Sequence, residues 1–151
     1  MRISGVCKMK IHVYCIVHNE EFLLPYFLRH YSTFADRIFI IDDHSTDLTA
    51  AIARAHPMVT YLRYKYWGRY EDDINSTYEE LYKVHSKKAD WVMVPDTDEF
   101  IYHPQLLEIL QQHEDFISVH CGLLKTVGYT MVSDHPPTTK EQIYDELQMG
   151  V

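Results

Sequence analysis

Glycine is scarce, with five residues in 151, and no Gly/Ser/Pro-rich linker, repeat or low-complexity tract divides the chain. Few special turns and no hinge are expected, so residues 1–151 read as a single domain. Cysteine is scarce as well. Cys7, Cys15 and Cys121 are an odd number without a metal-ligand spacing, which points away from a disulfide scaffold and toward a reducing cytoplasm. Positive charge is in short supply, 14 Lys and Arg against 22 Asp and Glu, and the longest basic tract is the pair Lys87–Lys88. A net charge of −8 without a basic stripe excludes duplex nucleic acid as a natural partner. Long apolar runs are missing too. The longest reach about half of the ~20 residues that a membrane span needs, and residues 1–9 lack the apolar segment of a signal peptide. Any membrane contact is expected to be peripheral.

What is present is enough apolar material for one core, 46% hydrophobic residues with 13% aromatics. The run KIHVYCIV (10–17) is continuous, apolar and β-branched, as in strands buried on both faces of a parallel sheet. RIFIID (37–42), VTYLRY (59–64), WVMVP (91–95) and FISVHC (116–121) resemble it. Helical periodicity fills the gaps. After Ser45, read as an N-cap with Asp47 in the first turn, Leu48, Ala51, Ile52 and Ala55 recur at i, i+3, i+4 and i+7. Ile74, Tyr78, Leu81 and Tyr82 recur at i, i+4, i+7 and i+8, 104–113 opens with a proline suited to a first helical turn, and 20–34 is expected to be helical with Pro25 near its start. Strands alternating with helices predict an α/β, three-layer, mostly parallel sheet with helices on both faces.

In such a sheet ligands bind outside the carboxyl ends of the strands. The polar clusters fall there: HNEE (18–21) after the first strand, DDHSTD (42–47) after the second, DTDEF (96–100) after the fourth. Asp96, Asp98 and Glu99 have no Lys or Arg in the ten residues that follow them. Close carboxylates repel one another unless a cation lies between them. Hard oxygen ligands of this kind suit Mg²⁺ or Mn²⁺, which keep positions open for phosphate oxygens.

The segments VYCIVHNEEFLLPYFLRHY, IFIIDDHSTDLT and ADWVMVPDTDEFIYH, in this order and at these separations, resemble the N-terminal nucleotide-binding half of a GT-A glycosyltransferase, nearest to the family 2-like enzymes. The resemblance covers about residues 9 to 121 and implies a Rossmann-like fold of the GT-A type. By position it implies that Asn19 and Glu20 flank the nucleotide and that Asp42 or Asp43 hydrogen-bonds the base. It further implies that Asp96 lies near the ribose and metal, and that Asp98 ligates the metal. The implied activity is transfer of a sugar from a nucleoside diphosphate donor, a UDP-sugar in first place, to a glycan or other hydroxyl acceptor, with inversion at the anomeric carbon. His44 stands where glycine or asparagine is common in the second motif. Relatives place their general base well past the Asp-x-Asp, whereas this chain ends 53 residues after Asp98, so a piece of a longer enzyme or an abbreviated relative is expected. Asp134 and His135 are the weak candidates for the base, with Glu141, Asp145 and Glu146 further on.

Plainer readings stand beside these. Asn19 and Asp47 suit helix caps, and Glu99 can pair with a surface base. Among ten histidines, His18, His44 and His103 lie near the proposed edge, but no His-Glu-x-x-His spacing supports zinc. The aromatic stretch 61–70 suits an edge strand or a stacking surface, with Arg63 or Arg69 near phosphates. Cys15 and Cys121 fall in strand candidates and read as buried thiols. The other functional classes to weigh are a truncated, non-catalytic nucleotide-sugar-binding module and a metal-dependent phosphohydrolase. The second usually carries its nucleophilic Asp after the first strand, whereas this motif follows the fourth.

Overall fold

The computed structural model of the chain describes residues 9–64, 88–112 and 142, and the backbone of 131–132 and 148–149. In chain order the elements are β1 (Ile11–Val17), α1 (Leu24–Tyr31), β2 (Arg37–Asp42), α2 (Thr49–Ala55), β3 (Val59–Arg63) and β4 (Trp91–Met93). Two short strands, β5 (Met131–Val132) and β6 (Gln148–Met149), pair antiparallel. A helical run also covers 106–112. The main sheet has the order β3-β2-β1-β4 with every pairing parallel. This is the α/β, Rossmann-like architecture that the alternating pattern predicts.

The apolar run of β1 divides by parity, because successive side chains in a strand point to opposite faces. Ile11, Val13, Cys15 and Val17 turn to one face and join Ile38 and Ile40 of β2, Ala53 of α2 and Leu24, Phe27, Leu28 and Tyr31 of α1 in the larger core. Tyr14 turns to the other face and joins Phe39, Ile41 and Tyr64. Register makes this consistent: Val13 lies opposite Ile38, Tyr14 opposite Phe39, and Cys15 opposite Ile40. Tyr14 and Phe39 form a cross-strand stack, with centroids 4.5 Å apart and planes 4° from parallel.

Local sequence explains α1. Pro25 occupies the first turn, where its missing N–H costs nothing, and Leu24, Phe27, Leu28 and Tyr31 repeat at i, i+3, i+4 and i+7 to make one buried face. Arg29 in the last turn suits the negative end of the helix dipole. Leu23 is the N-cap and makes no side-chain cap; the turn before it is closed by the Leu24 amide on the Glu20 carbonyl at 2.9 Å. Asn19 therefore does not cap this helix.

The second helix departs from its sequence reading. It starts at Thr49 rather than after Ser45, its N-cap is Leu48, and its buried residues are Thr49 and Ala53, with Ile52 packed beside them. Leu48 is 63% exposed, and Ala51 and Ala55 also face solvent. Alanines on several faces make the periodicity ambiguous, and the tie between Thr49 and the β1–α1 loop, described below, decides the rotation. The Asp47 carboxylate accepts from the Thr49 amide at 2.9 Å, so Asp47 caps from just outside the helix. Strand β4 is shorter than expected and ends at Met93.

Among the described residues, no helix is long and apolar enough to cross a membrane. The expected strand at 116–121, the expected helix around 74–82, the aromatic residues 65–70, and Cys7, Cys121, Asp134, His135, Glu141, Asp145 and Glu146 lie outside the described residues. The described helices feed the first face of the sheet.

Ile40 is fully buried at the centre of the larger core, so Ile40→Ala should lower unfolding free energy in a denaturant titration by about 3 kcal/mol. Leu48→Ala, at an exposed position, should stay within about 0.5 kcal/mol of the parent. A loss at Leu48 as large as that at Ile40 would mean that the face of α2 is misassigned.

Candidate functional site at the carboxyl edge of the sheet

β1 is paired with β2 on one side and β4 on the other, so the strand order reverses at β1. A crevice opens at the carboxyl ends of strands that flank such a reversal. Here those ends lead into His18–Asn19–Glu20 after β1 and Val94–Pro95–Asp96 after β4, with Asp42–Asp43 closing β2 on the far side.

Beyond Met93 the chain keeps a strand-like alternation. Pro95 and Thr97 are buried, whereas Asp96 and Asp98 are exposed. Thr97 is 5% exposed, and its hydroxyl lies 3.6 Å from the Cys15 Sγ of β1. Thr97 thus anchors the loop to the core and leaves its two neighbours outside. Glu99 serves the loop itself: its carboxylate accepts from the Asp96 amide at 3.1 Å, and its amide donates to the Asp96 carbonyl at 3.0 Å. Of the three clustered acids, one shapes the turn and two face outward.

These outward acids are coupled. Partial burial, then the nearby Glu99 and Asp98, raise the pKa of Asp96. Glu20 is raised by burial first and then by Asp98 and Asp47. Burial pushes the Cys15 thiol up to about 12, with Asp96, Glu20 and Asp98 adding to the rise. Asp96, Asp98 and Glu20 therefore share one electrostatic neighbourhood, although they come from two strand ends. A carboxylate whose pKa is raised on folding gains native-state stability as pH falls through that raised value, and it costs stability at neutral pH. Among the described residues, no three His, Cys, Asp or Glu side chains converge closely enough to enclose a metal alone. Mg²⁺ needs only one or two carboxylates and completes its shell with water and substrate phosphate, so Asp96 and Asp98 are the residues that could hold such a cation here.

The β1–α1 and β2–α2 loops are laced together. The Asn19 amide donates to the Ser45 hydroxyl at 2.9 Å, and its side-chain oxygen accepts from the Thr46 amide at 2.8 Å. The Glu20 amide donates to the Thr49 hydroxyl at 2.7 Å, the Glu21 amide to Asp47 at 3.1 Å, and the Leu48 amide to the Glu21 carboxylate at 3.0 Å. A His18 ring nitrogen lies 2.5 Å from the Asp43 carbonyl. Asn19, expected beside the nucleotide, has its carbonyl oxygen committed to this lacing. Asn19 and His44 both take positive φ, 54° and 56°. Asparagine tolerates the left-handed region and histidine less readily, at a cost of about 1 kcal/mol. His44 adopts the conformation for which glycine is the usual residue, and its Nδ1 lies 3.0 Å from the Asp43 carboxylate.

Asp42 and Asp43 divide in environment. Asp42 is 3% exposed; one oxygen accepts from the Ser45 amide at 2.9 Å and the other from the Tyr61 hydroxyl at 2.5 Å. Burial alone would raise its pKa, but the bonds from Ser45 and Tyr61 and the nearby Arg63 hold it below the usual carboxylate range. The Tyr61 ring is itself covered by the Arg54 guanidinium at 4.2 Å. Asp43 is half-buried and borders the edge.

A pocket of about 340 Å³ lies behind the 101–108 segment, lined by residues such as His30, Phe34, Tyr102, His103 and Glu108. None of the acids of the carboxyl edge lines it.

Asp42 contributes stability that is complete above the ordinary carboxylate pKa and is lost as pH falls through its lowered value. Tyr61→Phe removes one bond to the charged form, so the Asp42 pKa should rise in a carbon-detected NMR titration, and acid unfolding should begin at higher pH. An unmoved Asp42 titration would show that the Tyr61 hydroxyl does not hold the carboxylate.

Compared with known proteins, the chain matches no family model and no curated protein sequence. Among solved structures it is similar to one described as 4-diphosphocytidyl-2C-methyl-D-erythritol synthase, at 16% identity and a TM-score of 0.48, over 70% of this chain and 54% of that one. The chain thus spans about half the length of that structure. At this level the likeness assigns neither family nor reaction, and the fold rests on the strand order itself.

Proposed function

We propose that the carboxyl edge binds a nucleoside diphosphate sugar, UDP-linked in first place, through a divalent cation, and that the chain belongs to a metal-dependent glycosyltransferase of GT-A type. One observation carries the reading. Asp96 and Asp98 face outward on a loop anchored by Thr97, beside Glu20 and next to the point where the strand order reverses. Elsewhere in the fold, acids have partners. At the amino end of the sheet, Asp36 accepts from the Ile11 amide at 3.0 Å and Asp90 from the Lys10 amide at 2.6 Å. At the carboxyl edge, neither Asp96 nor Asp98 pairs with a Lys or Arg among the described residues. Carboxylates left facing each other cost stability, and such sites repay the cost in binding.

In this reading Asp98 and Asp96 would hold Mn²⁺ or Mg²⁺, and the cation would supply neutralisation of charge on a departing diphosphate. Asp43 and Glu20 line the nucleotide side, and Asp42 acts behind them by holding the 43–45 turn. The acceptor hydroxyl needs a base, for which Asp134 and His135 are the sequence candidates.

Calorimetry with UDP tests the cation. Binding is expected with Mn²⁺ or Mg²⁺ and should be lost with EDTA, since acids repel a diphosphate without a bridging charge. Equal affinity in both conditions would remove the metal. Asp98→Asn should abolish that binding while leaving the melting temperature unchanged or raised, because one repelling charge disappears. A large fall in melting temperature with binding intact would mark Asp98 as structural. Metal-dependent binding without turnover of any UDP- or GDP-sugar, in the presence of mixed acceptors, would favour a binding module.

A further inference from the structure

The Asp-x-Asp loop is held from behind by α1. Tyr31 has no exposed surface. Its hydroxyl donates to the Glu99 carbonyl at 3.0 Å and accepts from the Ile101 amide at 3.2 Å. Its neighbour His30, 2% exposed, donates from Nε2 to the Ile101 carbonyl at 3.0 Å. Two adjacent residues in the last turn of α1 thus engage three backbone groups immediately after Asp98, about 70 positions away in sequence. The rings are fixed in turn: Tyr31 packs on Phe27 with centroids 4.5 Å apart, and His30 meets Phe34 and Phe100 edge-on at 5.5 and 5.4 Å.

We infer that Tyr31 and His30 are positioning residues for the cation site, setting the path of the 96–101 loop so that Asp96 and Asp98 face the edge together. The inference rests on the cation reading above and adds to it the element that aims the ligands. Physical need supports it. Mutual repulsion among Asp96, Asp98 and Glu20 pushes the loop away from β1 when no cation is bound. Thr97 opposes that movement at only one point, through a long contact with sulfur. A buried hydroxyl that bridges a carbonyl and an amide two residues apart opposes it by direction as well as by energy. Removing one partner also leaves the other groups unsatisfied inside the protein. Groups that orient metal ligands without touching the metal commonly change affinity by 10- to 100-fold when lost.

The experiment measures UDP affinity at saturating Mn²⁺, Mn²⁺ affinity by the loss of the free-ion electron paramagnetic resonance signal, and melting temperature. The variants are Tyr31→Phe, His30→Leu and His30→Gln. Tyr31→Phe keeps the ring and deletes only the hydroxyl; it should weaken Mn²⁺ and Mn²⁺-dependent UDP binding about tenfold while the circular dichroism spectrum is retained. His30→Leu should weaken both similarly, and His30→Gln, whose amide reaches the same carbonyl, should recover most of the loss. A merely structural role would lower the melting temperature of His30→Leu and His30→Gln alike without separating their Mn²⁺ affinities. Parental affinity in Tyr31→Phe, or equal affinities in the two His30 variants, overturns the inference and leaves the cation reading standing. UDP binding by the parent chain that ignores Mn²⁺ overturns the cation reading, and this inference with it. If Tyr31→Phe does not fold, the comparison of the two His30 variants decides.

Discussion

Everything at the carboxyl edge depends on β1 being flanked on both sides by parallel strands. Because β2 and β4 run in the same direction as β1, their carboxyl ends finish at one edge, and three segments far apart in sequence arrive together. An antiparallel β4 would send Asp96 and Asp98 to the opposite end. Parallel pairing requires long crossovers and burial on both faces, which is why β1 is an unbroken apolar run with His12 as its only strongly polar member. The chemistry of the edge therefore follows from the composition of a strand that carries none of it.

Bringing acids together has a cost, and among the described residues the loops of the edge are held mainly by hydrogen bonds. Asn19, Ser45, Thr46, Asp47 and Thr49 join the first two loops, and Tyr31 with His30 holds the third. These are mostly side chain to backbone bonds, which fix direction and are insensitive to the pairing of charges. Their arrangement leaves Asp96, Asp98 and Glu20 as the groups still able to gain from a bound cation. The contrast with the amino edge is instructive. There Asp90 accepts from the amide of Lys10, just before β1, and Asp36 from that of Ile11, its first residue, so acids of the same kind are consumed by structure.

Much of this fold was legible from the residues. β1 and β2 coincide with apolar runs bounded by polar clusters, because a strand buried on both faces needs such a run and tolerates little else, and β3, half-buried at the end of the strand order, follows a β-branched and aromatic run. The rest depended on contacts that no local window contains. The face of α2 was misread because Ala51 and Ala55 fit any side of a helix, and the tether from Thr49 to Glu20 turned it. Asp42 and Asp43 are identical in composition and adjacent in sequence. Their difference comes from Tyr61, on β3, and from Asp42 being the last residue of β2 while Asp43 already belongs to the loop. Nothing in LPYFLRHY marks Tyr31 and His30 as having partners some 70 positions later. Only a Tyr or His at a buried helical position, where the hydroxyl or ring N–H must find an acceptor, hints that a loop lies against it.

Two backbone residues give the last step. Asn19 and His44 are the non-glycine positions with positive φ among the described residues, and they belong to the two loops that are laced together at the edge. Strain of this kind persists only where surrounding contacts over-determine the conformation, and each residue is so held: Asn19 through Ser45 and Thr46, His44 through Asp43 and the turn that Asp42 fixes from Ser45. A glycine at 44 would relax the turn without strain, but it would remove the ring that holds Asp43 at the border of the edge. Histidine there exchanges about 1 kcal/mol of backbone ease for a fixed carboxylate orientation. In the nucleotide-binding reading proposed above, that exchange suits an Asp43 that presents its carboxylate in one direction.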